Sequence, residues 1–196
     1  MTKVLVLHGY GQLVIDVEKK WARTFKKIGL VDVTYLEAPL TVTNHSGQYG
    51  RGWFLWKAGD NIYQCTKYYQ VKESLEYLYN YINKHGPFDA IIGYSQGGTI
   101  LSIFLECFNI PVRKIIIISS YQSLDPEWQV ATTTKYDILL VAGQRDEIVP
   151  KQFTLNMYDN ATIYIHPSTH SIPSTKDFID IVKTFLSTPI TSPDPQ

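Results

Sequence analysis

The sequence predicts one α/β domain, a doubly wound and mostly parallel sheet of about six strands flanked by helices. Three observations carry the prediction. Short runs rich in β-branched residues recur along the chain, and most are apolar without a break. Unbroken apolar runs suit strands buried on both faces, as in a parallel sheet. Segments with apolar residues at three- and four-residue spacing, the helical repeat, lie between them. The chain has 196 residues, the size of a single domain. Such a length buries roughly 70% of the unfolded surface without a metal or disulfide.

The elements follow in chain order. A strand over 4–7 (VLVL) precedes a helix over 13–28, with Val14, Val17, Trp21, Phe25 and Ile28 on one face. A second strand covers 31–36 (VDVTYL). Residues 38–67 fit neither pattern, being polar in part, dotted with glycine and rich in rings. A helix over 68–84 carries Val71, Leu75, Leu78 and Ile82, and a strand follows at 89–93 (DAIIG). Residues 97–108 are apolar nearly all round, so that helix should be central. A strand at 114–119 (KIIIIS) leads to a second irregular stretch over 120–134. Strands at 136–143 (YDILLVAG) and 161–167 (ATIYIHP) come next. The last helix, 174–187, is expected to start at a Ser174 cap with Asp177 three residues on. The domain is expected to span 1–187, and the tail 188–196, with three prolines, to fray. Irregular connections as long as 38–67 usually carry function.

Lys plus Arg and Asp plus Glu number 18 each. A neutral chain offers no field to attract nucleic acid or an anionic membrane. The first apolar run, VLVL, is too short for a signal peptide core, and no run approaches the roughly 20 residues of a membrane span. The two cysteines, Cys65 and Cys107, have no metal-binding spacing and read as free thiols of a reducing compartment. The expected location is cytoplasmic. Cys107 reads as a core residue of an apolar helix rather than a nucleophile.

The chemistry centres on Gly93-Tyr94-Ser95-Gln96-Gly97-Gly98, at the junction of a strand and a helix. G-x-S-x-G in that setting is a nucleophile elbow. A sharp strand-to-helix turn strains the serine backbone and brings the helix close, so side chains at 93 and 97 would collide. Ser95 then sits at a helix N-terminus, where free N–H groups stabilise an anion. A serine hydroxyl needs a base, and in this architecture the chain order is serine, acid, histidine. His166 and His170 follow Ser95 and an acid. His166 reads as a strand-end side chain, and His170 lies in the loop beyond, so His170 is the expected base. Asp146, just past the strand ending LLVAG, is the expected acid, with Glu147 the alternative. The backbone N–H groups of Gln96 and Tyr10 are the expected oxyanion donors. His8 should order the loop around Tyr10. In the cluster RGWFLW, residues 51–56, Trp53 and Phe54 are expected to line a substrate pocket. The other reading is that these rings merely anchor the loop.

Six segments together resemble a known group. They are LHGYGQ at 7–12, LEAP at 36–39, RGWF at 51–54, GYSQGG at 93–98, LLVAGQRDEIVP at 139–150 and THSIP at 169–173. They are similar to motifs of the FSH enzymes, the family of serine hydrolases, and cover most of the chain. Gln after the serine also occurs in acyl-protein thioesterases and lysophospholipases. The arginine-aromatic segment favours the FSH group. The resemblance implies an α/β-hydrolase fold, no cofactor, and esterase activity on short or medium acyl chains. It places Ser95, Asp146 and His170 in the triad positions. One departure is that Ser168-Thr169 stand where the family has two glycines before the histidine.

The implied partner is a small acyl ester or thioester, with no metal. The alternatives are an acyl-protein thioesterase or lysophospholipase, and a non-catalytic binding module on a hydrolase scaffold.

Overall fold

The computed structural model describes residues 2–30, 32–44, 46–57 and 63–189. The elements in order are β1 (Lys3–Leu7), α1 (Val14–Ile28), β2 (Asp32–Leu36), β3 (Leu40–Thr43), β4 (Tyr49–Gly52), β5 (Leu55–Trp56) and β6 (Tyr68–Tyr69). There follow α2 (Val71–His85), β7 (Ala90–Tyr94), α3 (Gln96–Cys107), β8 (Lys114–Ile118), β9 (Asp137–Gly143), α4 (Lys151–Leu155), β10 (Thr162–His166) and α5 (Lys176–Ser187).

Six strands form one sheet in the order β10-β9-β8-β7-β1-β2, every pair parallel. Alternation along each strand feeds two cores. Val4 and Val6 of β1 face α1 and α5, packing with Trp21, Phe25 and Phe178. Leu5 and Leu7 face the other way, with Leu75, Leu78, Ile100 and Phe104 of α2 and α3. Both faces of each central strand are therefore apolar, which is why its sequence shows no polar alternation. The winding reverses between β1 and β7. Such a switch point opens a crevice beyond the C-terminal ends of the two strands.

Four details depart from the sequence reading. Residues 38–67 are partly regular, with β3 pairing antiparallel with β4 and β5 with β6. Ahead of β4, Asn44 Oδ1 accepts from Ser46 N and Gln48 N, both at 3.0 Å. These ribbons are short, and β4 reads Tyr-Gly-Arg-Gly, so neither strand periodicity nor β-propensity marks them. Because Tyr68 and Tyr69 pair with β5, α2 starts only at Val71. The cap of α5 is Thr175 rather than Ser174, its hydroxyl accepting from Phe178 N at 3.4 Å. Cys107 also leaves the core, because the last turn of α3 reaches solvent. Among the described residues no helix is long and apolar enough to cross a membrane.

Candidate active site

Ser95 caps α3 with φ 52° and ψ −123°, a backbone state that L residues occupy at a cost of about 1–3 kcal/mol. Its neighbours enforce it. Ser95 N donates to Ile118 O at 2.9 Å, and Ser120 Oγ donates to Ser95 O at 2.8 Å. A Cβ on Gly93 would lie 2.6 Å from Gly98 Cα, inside α3. One on Gly97 would run into the carbonyls of Leu7 and His8 at the end of β1. The two glycines thus let α3 press against β7 on one side and β1 on the other.

Asp146 lies in the loop after β9, its side chain fully buried. Oδ1 accepts from Ile148 N at 3.0 Å and Val149 N at 2.9 Å. Oδ2 lies 2.8 Å from His170 Nδ1. Burial pushes the carboxyl up, but the hydrogen bonds from His170 and Val149 outweigh it and hold Asp146 below the usual carboxylate range. An ionised carboxylate only accepts, so Nδ1 carries the proton and Nε2 keeps its lone pair. Tyr94 fixes the ring further, its hydroxyl donating to His170 O at 3.1 Å and its ring centred 5.0 Å from the imidazole. Glu147 is exposed, so Asp146 is the residue that meets the histidine. His166 is buried at the end of β10 and neither ring nitrogen is hydrogen-bonded; burial lowers its pKa.

The histidine loop does without glycine. Neither Ser168 nor Thr169 has a positive φ. Glycine is required instead on the facing strand end, where a Cβ on Gly143 would lie 2.6 Å from Thr169 O and 2.9 Å from Ser168 O. Gln144 N to His166 O at 2.8 Å and Arg145 N to Ser168 O at 3.1 Å tie the two loops together.

The loop after β1 supplies the other wall. Ala38 N donates to His8 Nε2 at 3.0 Å, so the His8 proton sits on Nδ1 and donates to Gly9 O at 2.7 Å. Burial lowers the pKa of this ring. His8 therefore orders the loop as a neutral residue. A Cβ on Gly9 would lie 3.2 Å from Ser95 Cβ, which places this backbone directly against the elbow. Gln96, the first residue of α3, has an N–H with no acceptor inside the helix.

A cavity of about 150 Å³ opens over Ser95 and His170, walled by Tyr10, Trp56, Tyr94 and Ile148. A larger hollow of about 240 Å³ lies at the opposite ends of the strands, around Lys114 and Asp137. The sequence did not single out Tyr94 or Ile148, although Tyr94 is the first variable residue of G-x-S-x-G. Trp53 and Phe54 do not line this cavity. Both are fully buried. Trp53 Nε1 donates to His8 O at 2.8 Å, and the Phe54 ring stacks on Tyr68 at 4.4 Å. They anchor the segment and present Trp56, whose ring packs 4.5 Å from that of Tyr10, to the cavity. Among the described residues no group of three His, Cys, Asp or Glu side chains is arranged to hold a metal.

Residues 1–182 match the family described as Serine hydrolase (FSH1). The chain is 26% identical to Family of serine hydrolases 3 of Saccharomyces cerevisiae, over 92% of this chain and 81% of that one. It is 23% identical to Esterase OVCA2 of Danio rerio, over 94% and 96%. It spans 34% and 32% of two longer Schizosaccharomyces pombe relatives. Among solved structures, esterase PE8 superposes with a TM-score of 0.69 at 21% identity, covering 94% of this chain and 91% of that one. That likeness gives the fold, the α/β-hydrolase fold. With the profile matched over nearly the whole chain, the protein belongs to the serine hydrolase (FSH1) family.

Proposed function

We propose that the chain hydrolyses carboxylic esters of short or medium acyl chains through a covalent acyl-enzyme on Ser95. One observation carries this reading. His170, bonded to the buried Asp146 at 2.8 Å, opens into the same cavity as the strained Ser95. In this reading His170 Nε2 takes the Ser95 hydroxyl proton as Oγ attacks the ester carbonyl carbon. The oxyanion accepts hydrogen bonds from the N–H groups of Gln96 and Tyr10. Collapse expels the alcohol, which leaves with the proton from His170. A water then repeats the cycle and frees the acid. Asp146, ionised and fixed by two backbone N–H groups, holds the imidazole and balances its charge when protonated.

The cavity supports a small acyl group. At about 150 Å³ it falls below the roughly 300–1,000 Å³ of sites for drug-sized ligands. The Tyr10–Trp56 pair closes one side. The test is turnover of p-nitrophenyl esters of graded length. Ser95→Ala should lose several orders of magnitude in kcat and stay folded. Retained turnover would overturn the assignment, and faster cleavage of an acyl-thioester panel would move the reading to a thioesterase.

A further inference from the structure

We propose that the side chain of Gln96, acting through residues 51–54, is a positioning device that sets the spacing between the two backbone donors of the oxyanion site. The inference rests on the serine-hydrolase reading and adds a role for a side chain that this reading leaves unused. Gln96 is fully buried. Its Oε1 accepts from Trp53 N at 2.8 Å and its Nε2 donates to Phe54 O at 2.7 Å. Only this orientation of the amide matches a donor N–H and an acceptor carbonyl, so the clamp is unambiguous.

The other edge of the same segment holds the loop after β1. Trp53 Nε1 donates to His8 O at 2.8 Å. Gly11 N donates to Arg51 O at 2.7 Å, and Arg51 N to Gln12 O at 3.1 Å. Tyr10 is thus bracketed by residues bonded to the segment, and Gln96 is bonded to it directly. The contacts are close as well as polar. A Cβ on Gly52 would lie 3.1 Å from the Tyr10 ring and 3.4 Å from Gln96 Oε1. A Cβ on Gly50 would run into the Gly11 backbone. The distance between Tyr10 and Gln96 is therefore fixed by one strut seated on both.

An amide is a poor filler for a dry core. Burying one without partners is unfavourable, so packing alone would favour an apolar side chain. A pair of oxyanion donors, by contrast, works only when both point at one oxygen. Losing a donor outright costs about 10²–10³ in kcat, and a displaced donor costs less.

The test leaves both backbone N–H groups in place. Gln96→Met keeps the volume and removes both bonds. Gln96→Glu can restore both when its carboxyl is neutral, a form favoured by burial and acid. Trp53→Phe cuts the tie to His8 from the other side. For p-nitrophenyl acetate, kcat per phosphonate-titrated site should fall about 10- to 100-fold in Gln96→Met. KM should change by less than about threefold, the split expected for a loss felt in the transition state. The ratio of kcat in Gln96→Glu to that in Gln96→Met should rise from about pH 8 to about pH 6, since the base's own titration cancels in the ratio. Trp53→Phe should lose kcat in the same sense, and carries the test if Gln96→Met fails to fold. A kcat within twofold of the parent in the folded variants would overturn the proposal. So would a flat Glu-to-Met ratio, or a loss that vanishes once active sites are titrated, because a purely structural role predicts both. Ser95→Ala run in parallel separates the two levels. If it remains active, the nucleophile assignment fails and this proposal with it. If it is inactive while Gln96→Met is fully active, only this proposal fails.

Discussion

Ser95, Asp146 and His170 stand out in the sequence as candidates because each follows a strand end in the order the proposed chemistry needs. The sequence preferred Asp146 but kept Glu147 as the alternative, since adjacent carboxylates share one loop; burial separates them, with Asp146 inside and Glu147 exposed. Asp146→Asn should lower kcat by about 10⁴, as expected where the third residue sets the tautomer. Near-normal steady-state rates in that variant would point to a Ser–His dyad. His8 offers a second check at this scale. Its folded pKa lies below the ordinary imidazole value because it is buried. The unfolded chain then binds a proton that the folded chain refuses, so stability is full above about pH 6.5 and declines as pH falls below it. The drop in Tm between about pH 7.5 and 5.5 should be smaller in His8→Asn than in the parent. An equal drop in both would contradict the neutral role given to His8. For Trp53 and Phe54 the sequence left the pocket-wall and anchor readings open for a simple reason. Composition shows a cluster of rings but not which side of the backbone each one faces, and only the third ring, Trp56, reaches the cavity.

At the scale of elements, the six sheet strands and four longer helices were readable because each repeats its period long enough to register. The ribbons β3–β4 and β5–β6 were not, being two to four residues long, with β4 broken by glycine. They nevertheless hold the site together, since β4 and the residues after it bond to both the β1 loop and Gln96. The contact of α3 with β1 gives a direct prediction. Gly97→Ala would push a methyl into the Leu7 and His8 carbonyls, and should cost about 3 kcal/mol or more along with activity. Gly29, at φ +93° with open space around it, bears only the backbone penalty. Gly29→Ala should therefore cost about 1–2 kcal/mol and leave turnover intact. Equal destabilisation in urea melts would mean that α3 does not sit as close to β1 as described.

For the whole molecule, winding outward from β1 in both directions gathers the site. The loops after β1, β7 and β9 and the loop after β10 all open on the same end of the sheet. A parallel sheet makes this inevitable, which is why the location of the site could be read from element order alone. Its size could not, because the cavity depends on which rings the 51–56 segment turns outward. Trp56→Ala should extend preference toward longer acyl chains by a graded amount, near 1 kcal/mol in kcat/KM per added methylene. A uniform loss across the ester series would assign Trp56 to folding instead. The central claim is that Ser95 becomes covalently acylated by way of His170. It is tested most directly by reacting the protein with a fluorophosphonate and mapping the adduct by peptide mass spectrometry. The account predicts a single adduct on Ser95, formed far more slowly in His170→Ala and absent in Ser95→Ala. An adduct on another residue, or undiminished labelling of Ser95→Ala, would contradict it.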